Sequence, residues 1–457
     1  MNLVARLRQD ELLDRVVRNS AHLFSSNTTG LALSVLQSIL AARMLGPEGF
    51  GVVGIVMSYA STINGLLSFR MGEVVVRYGG EYLEKGDKAK AAALIKVSSR
   101  VELAVSTLAF LVVIATAGLA ARYAAKTPGT TLMFVIYGFG LLCNFNSETA
   151  TGILQITNRI KTRGTINLIQ ALCTAAVIVG AFILNSSMGL NRDAAMLVVL
   201  AGYLLGKAVL GLGLFVTGRS EMRRVLGHEW QRVKVAQLPS MRHLLNFAVS
   251  SNLSATAILL FRESEVLWIG LLLNSEAAGL FKVAYTIVIL LSVPADPLIM
   301  SVHPELNRLV VQEAWGKLRQ FLTRITAASF SYNAAIAVGL VVLGRRVLSI
   351  FGEQYEAAYP AMLVLLLGLV FNYTLFWNRP LLLSLSLQRF ALGAIALVGA
   401  VKLLLSFLLV PRYGYVMEAL LLSGYFVASV GAMVWRGVRE VNGRADIALR
   451  QQSAADR

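Results

Sequence analysis

Twelve apolar runs divide this chain, each close to the roughly 20 residues a helix needs to cross about 30 Å of hydrocarbon. They fall near residues 22–43, 50–69, 101–121, 130–150, 165–184, 194–216, 246–272, 277–299, 324–343, 359–377, 387–410 and 414–435. Over 457 residues only 15% are charged and 56% are hydrophobic, against roughly 25% charged in a soluble globular chain. The expected fold class is therefore all-α: a polytopic membrane protein of about 12 transmembrane helices.

A net charge of +17 raises the question of a nucleic-acid partner, and the placement of Lys and Arg answers it. With the N-terminus taken as cytoplasmic, 31 of the 42 basic residues fall in cytoplasmic segments, seven in the opposite loops and four inside spans. That asymmetry is the positive-inside pattern for a protein with both termini cytoplasmic, so no nucleic-acid partner is expected. No cleavable signal peptide is expected either, because some twenty mixed-charge residues precede a first run that is long enough to span. Residues 1–20 read as an interfacial amphipathic segment. Cys143 and Cys173 fall within spans and read as small apolar fillers, not a disulfide.

The stretch "AARMLGPEGFG" at 41–51 interrupts the apolar pattern, and "GLLLNSEAAGLF" at 270–281 resembles it. Sliding the chain by half its length places Leu45, Glu48 and Gly51 on Leu273, Glu276 and Gly279. Each copy sits between two apolar runs, and each is followed by a run ending in a charged amphipathic segment. Half-chains of six spans enter the membrane from the same side, so they are expected to be parallel repeats about an axis along the membrane normal. The expected division is a six-helix bundle over 21–216, a basic linker over 217–245, a second bundle over 246–435 and a cytoplasmic tail over 436–457. The opening motif reads as a tight turn that marks the start of each half.

Four segments carry a family resemblance: "ILAARMLGPEGFGVVGIVMS" at 39–58, "FRMGEVVVRYGGEYLEKGD" at 69–87, "IFGEQYEAAYPAMLVLLLG" at 350–368 and "LVPRYGYVMEALLLSGYF" at 409–426. Together they resemble the Wzx-type polysaccharide flippases of the multidrug/oligosaccharidyl-lipid/polysaccharide superfamily. The resemblance implies two bundles around a V-shaped central cavity. It also implies a glycan on an undecaprenyl-pyrophosphate carrier as substrate, moved across the bacterial inner membrane for O-antigen, capsule or exopolysaccharide synthesis. Membrane lipids, a glycan polymerase and a chain-length regulator are the implied partners. Glu418 departs from the pattern, since relatives commonly have a small residue there.

A flippase for such a substrate needs a polar, partly cationic path, and ionisable residues within spans usually face one. In helix 7, Asn252, Thr256 and Glu263 fall on one side of a helical wheel with Arg262 on its flank; the competing reading is an internal Arg262–Glu265 ion pair. Lys207, Lys282 and Lys402 are read as further phosphate partners, with snorkelling to an interface as the alternative for Lys282. Arg70, Glu73 and Arg77 sit at the cytoplasmic entrance, or are ordinary positive-inside charge. Glu148, in "NFNSETATG", reads as a ligand for sugar hydroxyls or a coupling cation, or as part of a helix-end cluster. Pro294 and Pro297 are expected to kink the end of helix 8.

Two rival functions remain. A membrane glycan polymerase or acyltransferase needs an extramembrane catalytic loop or a His/Asp/Glu constellation, and the four histidines are scattered without metal or triad spacing. No GxxxxGK[ST] loop occurs, so ATP hydrolysis is not expected. A cation-coupled multidrug exporter of the same superfamily is the other alternative. The chain is thus expected to be no enzyme and to hold no cofactor, with a proton or sodium ion as alternative coupling ions.

Overall fold

The computed structural model of the chain describes residues 11–233 and 256–455. Among them it is almost wholly helical, with no strand. The helices run α1 Glu11–Leu67, α2 Met71–Val74, α3 Gly80–Glu84, α4 Lys88–Tyr123, α5 Thr131–Cys143, α6 Ser147–Ile156, α7 Ile160–Met188 and α8 Arg192–Leu226. They continue with α9 Glu265–Leu272, α10 Ser275–Val288, α11 Ser292–Val311, α12 Trp315–Ser349, α13 Tyr359–Thr374, α14 Asn378–Ser384, α15 Gln388–Tyr413 and α16 Tyr415–Ala455. One compact unit covers Gly30–Gly279, and the other covers Met1–Thr29 and Leu280–Arg457. Helix α9, expected in the second bundle, thus packs within the first unit.

The surfaces of these helices are those of a protein solvated by lipid. Along α4 the buried face carries small residues, Ala109, Val113, Ala117 and Ala121, while Leu103, Leu108, Leu111, Ile114 and Leu119 point outward. Water would reverse that order, because large apolar side chains drive burial there. Lipid removes the drive, so helices associate through small residues that let backbones approach. Nine helical stretches among the described residues are long and apolar enough to span, and the chain is a multi-pass membrane protein.

The twelve expected spans map onto these nine for definite reasons. Runs 22–43 and 50–69 are joined in α1, whose direction changes at Gly46 with φ 67° and ψ 175°. That conformation needs glycine, and Pro47 follows where a helix start tolerates it. Glu48 then pairs with Arg192 at 2.7 Å, fixing the turn to the start of α8. The expected continuous helix over 246–272 is broken within its described part. A π turn covers Leu259–Glu263, and Ser264 leaves the helix with φ −97° and ψ 16°. Helix α10 ends in a tighter turn at Ile289–Leu291, just before Pro294, which offers no N–H to the carbonyl of Leu290 in the preceding turn.

The repeat in the sequence is also a repeat of elements. Ile160 and Gln388, which begin α7 and α15, are separated by the same half-chain offset, and the break before α6 has its counterpart before α14. The two motif copies meet directly inside the first unit. A Cβ placed on Gly51 would lie 1.7 Å from the carbonyl oxygen of Ser275, and one on Gly279 would lie 1.9 Å from that of Pro47. Helices α1 and α10 cross backbone to backbone at this point, so both glycines are needed for proximity, while the turn itself is made at Gly46.

Gly51→Ala or Gly279→Ala should therefore force two backbones apart and lower stability by about 1–3 kcal/mol. Gly118→Ala, in α4 where an added methyl meets nothing, should be neutral or stabilising. Thermal unfolding of the purified protein in detergent compares the three.

Candidate functional site

The site begins at a helix break. Two asparagines in "CNFNS" compete with the helix ladder for hydrogen bonds. The Asn144 amide donates to the Gly140 carbonyl at 3.3 Å, and the Ser147 hydroxyl bonds the Asn144 side chain at 3.1 Å. The break exposes the first N–H groups of α6 inside the protein, where they need acceptors. Glu102 of α4, only 9% exposed, supplies them: its two carboxylate oxygens accept from the backbone N–H groups of Glu148 at 2.8 Å and Thr149 at 2.9 Å. A carboxylate on a helix N-terminus is favoured by the dipole as well as by the hydrogen bonds.

Against α6 lies the charged segment that follows α1. Gly72 packs on the carbonyl of Glu148, and Gly152 on the carbonyl of Gly72, each 2.8 Å from where a Cβ would stand. Arg70, just before α2, takes a left-handed conformation (φ 48°, ψ 49°), which is uncommon for a residue with a side chain and marks many functional sites. Arg77 lies in a π turn, Val75–Gly79, another feature frequent at such sites.

These contacts enclose a cavity of about 520 Å³ that holds Arg70, Glu73, Arg77, Glu148, Gln155 and Arg163, with Ser147, Thr151 and Asn167 between them. Arg70 and Glu73 are paired at 3.3 Å, both nearly half exposed. Three guanidiniums face two carboxylates, so the cavity has a net positive charge. Guanidinium forks suit phosphate oxygens, and the hydroxyl, amide and carboxylate groups suit sugar hydroxyls. Outside the membrane-spanning part, Lys85 hydrogen-bonds Glu81 at 2.5 Å and holds its carboxyl below the usual range.

From the cavity a polar stripe runs along α7: Arg163, Asn167, Gln170 and Thr174, spaced by four, three and four positions and so on one face. Thr174 is fully buried against Gly206 of α8. At the next position along α8, the Lys207 amine stands 4.7 Å from the centroid of the Tyr137 ring, an arrangement that stabilises a cation in an apolar setting.

Of the residues singled out from sequence, Arg70, Glu73, Arg77 and Glu148 are brought together here, and Lys207 lies near the stripe. Thr256, Arg262 and Glu263 do not line this cavity. Their shared face on the wheel presumed uniform helical steps, which the π turn at Leu259–Glu263 does not provide. Asn252 lies outside the described residues. Lys282 and Lys402 belong to the second unit. There Lys402 of α15 is in an ion pair with Glu418 of α16, both almost fully buried, and so is no cavity cation. The unusual Glu418 has its explanation in Lys402. Glu102, Arg163, Gln155 and Asn167 escaped the sequence reading, although a lone carboxylate in α4 and a polar period in "GTINLIQALCT" are visible signals.

Solved membrane proteins share this helical fold. An inward-facing multidrug-resistance MATE transporter of the MOP superfamily superposes with a TM-score of 0.73 at 13% identity, covering 91% of this chain and 96% of that one. The lipid II flippase MurJ, in an inward closed conformation, gives 0.66 at 14% identity, covering 91% and 87%. The inner membrane protein YghQ of Escherichia coli K12 is 25% identical over 348 residues, 75% of this chain and 94% of that one. Residues 16–310 match the polysaccharide biosynthesis protein family, and the chain belongs to that family.

Two substitutions test this geometry. Glu102→Ala leaves two buried N–H groups without acceptors and should cost about 1–3 kcal/mol for each, whereas Glu102→Gln keeps one acceptor and should cost less. Glu418→Ala strands a buried ammonium and should cost about 3–5 kcal/mol, while the double change Lys402→Met with Glu418→Leu should be close to neutral. Unfolding midpoints in detergent report both comparisons.

Proposed function

We propose that this protein is a flippase that moves a glycan, linked by pyrophosphate to undecaprenol, from the cytoplasmic to the periplasmic leaflet of the bacterial inner membrane. The observation that carries the reading is the cavity of three arginines and sugar-binding groups at the basic end of the first unit. A polar stripe leads from it into a membrane-spanning helix. Charges and hydroxyls do not cross hydrocarbon unaided, and this arrangement offers each a partner. The positive-inside pattern assigns the cavity to the cytoplasmic side, with both termini on that side. The relative YghQ is an inner membrane protein, which agrees with this location.

In this mechanism Arg70, Arg77 and Arg163 receive the diphosphate, and Glu148, Gln155 and Asn167 bind sugar hydroxyls. The helical units then rock to open the path outward, and the prenyl tail remains in lipid. The product is passed to a periplasmic glycan polymerase and its chain-length regulator for O-antigen, capsule or exopolysaccharide. A drug exporter would have to accept organic cations, and a cavity with more guanidiniums than carboxylates repels them. The excess of positive charge therefore favours the anionic lipid-linked substrate.

Deleting the gene in its host should trap the undecaprenyl-linked repeat unit on the cytoplasmic face and remove polymer from the surface. Restoring the chain with Arg77→Gln and Arg163→Gln should leave translocation at least about tenfold below wild type at equal membrane abundance, from the loss of charge-assisted phosphate contacts. Normal surface glycan in the deletion, with altered sensitivity to cationic drugs, would instead support the exporter.

A further inference from the structure

A second basic cavity of about 260 Å³ lies against another face of α6, where Ile153 lines it. Its chemistry differs from that of the first. Lys96 and Arg100, one turn apart on α4, and Arg219 of α8 surround it, and no carboxylate is among its described lining residues. Lys96 donates to the Val233 carbonyl at 2.7 Å, which holds the Trp230–Arg232 turn beside the cavity.

Two polar groups point to what the cavity holds. Asn146 lines it and is 8% exposed, yet its Oδ1 is buried with no hydrogen-bond partner among the described residues; the indole N–H of Trp230, also in the lining, is buried and likewise has none among them. Buried polar atoms without partners are uncommon and call for a bound group. The set comprises three cations, one donor and one acceptor. Phosphate oxygens match the cations and the indole N–H, and a free hydroxyl on the same ligand matches Asn146 Oδ1. The volume is that of roughly nine waters at about 30 Å³ each, enough for a phosphoglycerol-sized group and too small for an oligosaccharide.

The second unit offers a contrast. A cavity there is lined by α12, α16 and Thr374, which stands where the half-chain offset carries Asn146 and also has a buried hydroxyl with no partner among the described residues. That cavity, of about 630 Å³, is lined by Leu322, Phe330, Val434 and Val438, and Arg319 is its one cation among the described residues. At the half-chain offset Arg100 and Arg219 fall on Ala328 and Ile447, and of the three cations only Lys96 falls on a basic residue, Arg324. On the positive-inside reading this cavity is at the cytoplasmic leaflet, where basic pockets between helices bind anionic headgroups.

We propose that the cavity formed by Lys96, Arg100, Arg219, Asn146 and Trp230 binds a hydroxyl-bearing phosphate ester, either the headgroup of phosphatidylglycerol or a soluble glycerol phosphate, apart from the path of the transported glycan. The test uses full-length protein in nanodiscs of phosphatidylglycerol and phosphatidylcholine, released into native mass spectrometry. Wild type should retain phosphatidylglycerol. Arg100→Gln with Arg219→Gln should retain at least about tenfold less. Arg223→Gln with Arg224→Gln, which removes equal charge from exposed positions on the same helix, should behave as wild type. A soluble ligand would appear instead as saturable quenching of tryptophan fluorescence by sn-glycerol 3-phosphate in phosphatidylcholine nanodiscs, lost in Trp230→Phe and in the Arg100/Arg219 variant. Equal lipid retention by the two double variants, with no saturable response to sn-glycerol 3-phosphate, would overturn the proposal. None of these readings depends on glycan translocation.

Discussion

Hydrocarbon offers no partner to an N–H, a carbonyl or a charge, and no hydrophobic drive to press one apolar helix onto another. Both constraints are legible in this protein. Helices meet where backbones can touch, as Gly51 and Gly279 do. Where α6 begins after a break, a specific group answers for the exposed backbone, the carboxylate of Glu102. The position of Glu148 in the arginine cavity follows from that capping, because its own N–H is one of the two that Glu102 accepts. The fold and the site are therefore fixed by the same hydrogen bonds.

The same constraint explains the isolated charges. A lone Lys402 or a lone Glu418 in a span would cost several kcal/mol, and together they form a buried pair between α15 and α16. Lys207 is accommodated differently, over the face of Tyr137. At the basic end of the first unit, by contrast, charges gather in excess around an open volume. An intramembrane charge is thus a poor indicator of a substrate path until its neighbours are known.

The spans, the repeat of elements and the first charged cluster were legible in the sequence because each rests on a local signal. Apolar length gives the spans, the Leu45, Glu48 and Gly51 spacing gives the repeat, and "FRMGEVVVRYGGE" gives the Arg70, Glu73 and Arg77 cluster. The Lys402–Glu418 pairing and the capping by Glu102 were not legible, because each joins positions that only tertiary packing brings together. The regular helix assumed for Thr256, Arg262 and Glu263 was not legible for another reason. A wheel assumes 100° steps, and nothing in "ILLFRESEV" announces a π turn followed by a break at Ser264. The stripe of Arg163, Asn167, Gln170 and Thr174 was legible in principle, but its amides and hydroxyls are weak marks within an apolar run.

Comparison of the two halves separates what the backbone requires from what the chemistry requires. Both halves break the fourth helix, before α6 and, three residues further along by the half-chain offset, before α14. In the first half the carboxylate of Glu102 answers that break. Its equivalent in the second half is Phe330, which lines an apolar cavity, and the second break is stabilised by neutral groups: the Asn378 amide donates to the Leu375 carbonyl at 2.7 Å, and the Trp377 indole to the Thr326 hydroxyl at 2.7 Å. A neutral solution to the same backbone problem is therefore available to this fold. The first half instead carries the desolvation cost of a buried carboxylate and surrounds α6 with arginines, which is expected of a half that handles anions and is not needed merely to hold the helices together.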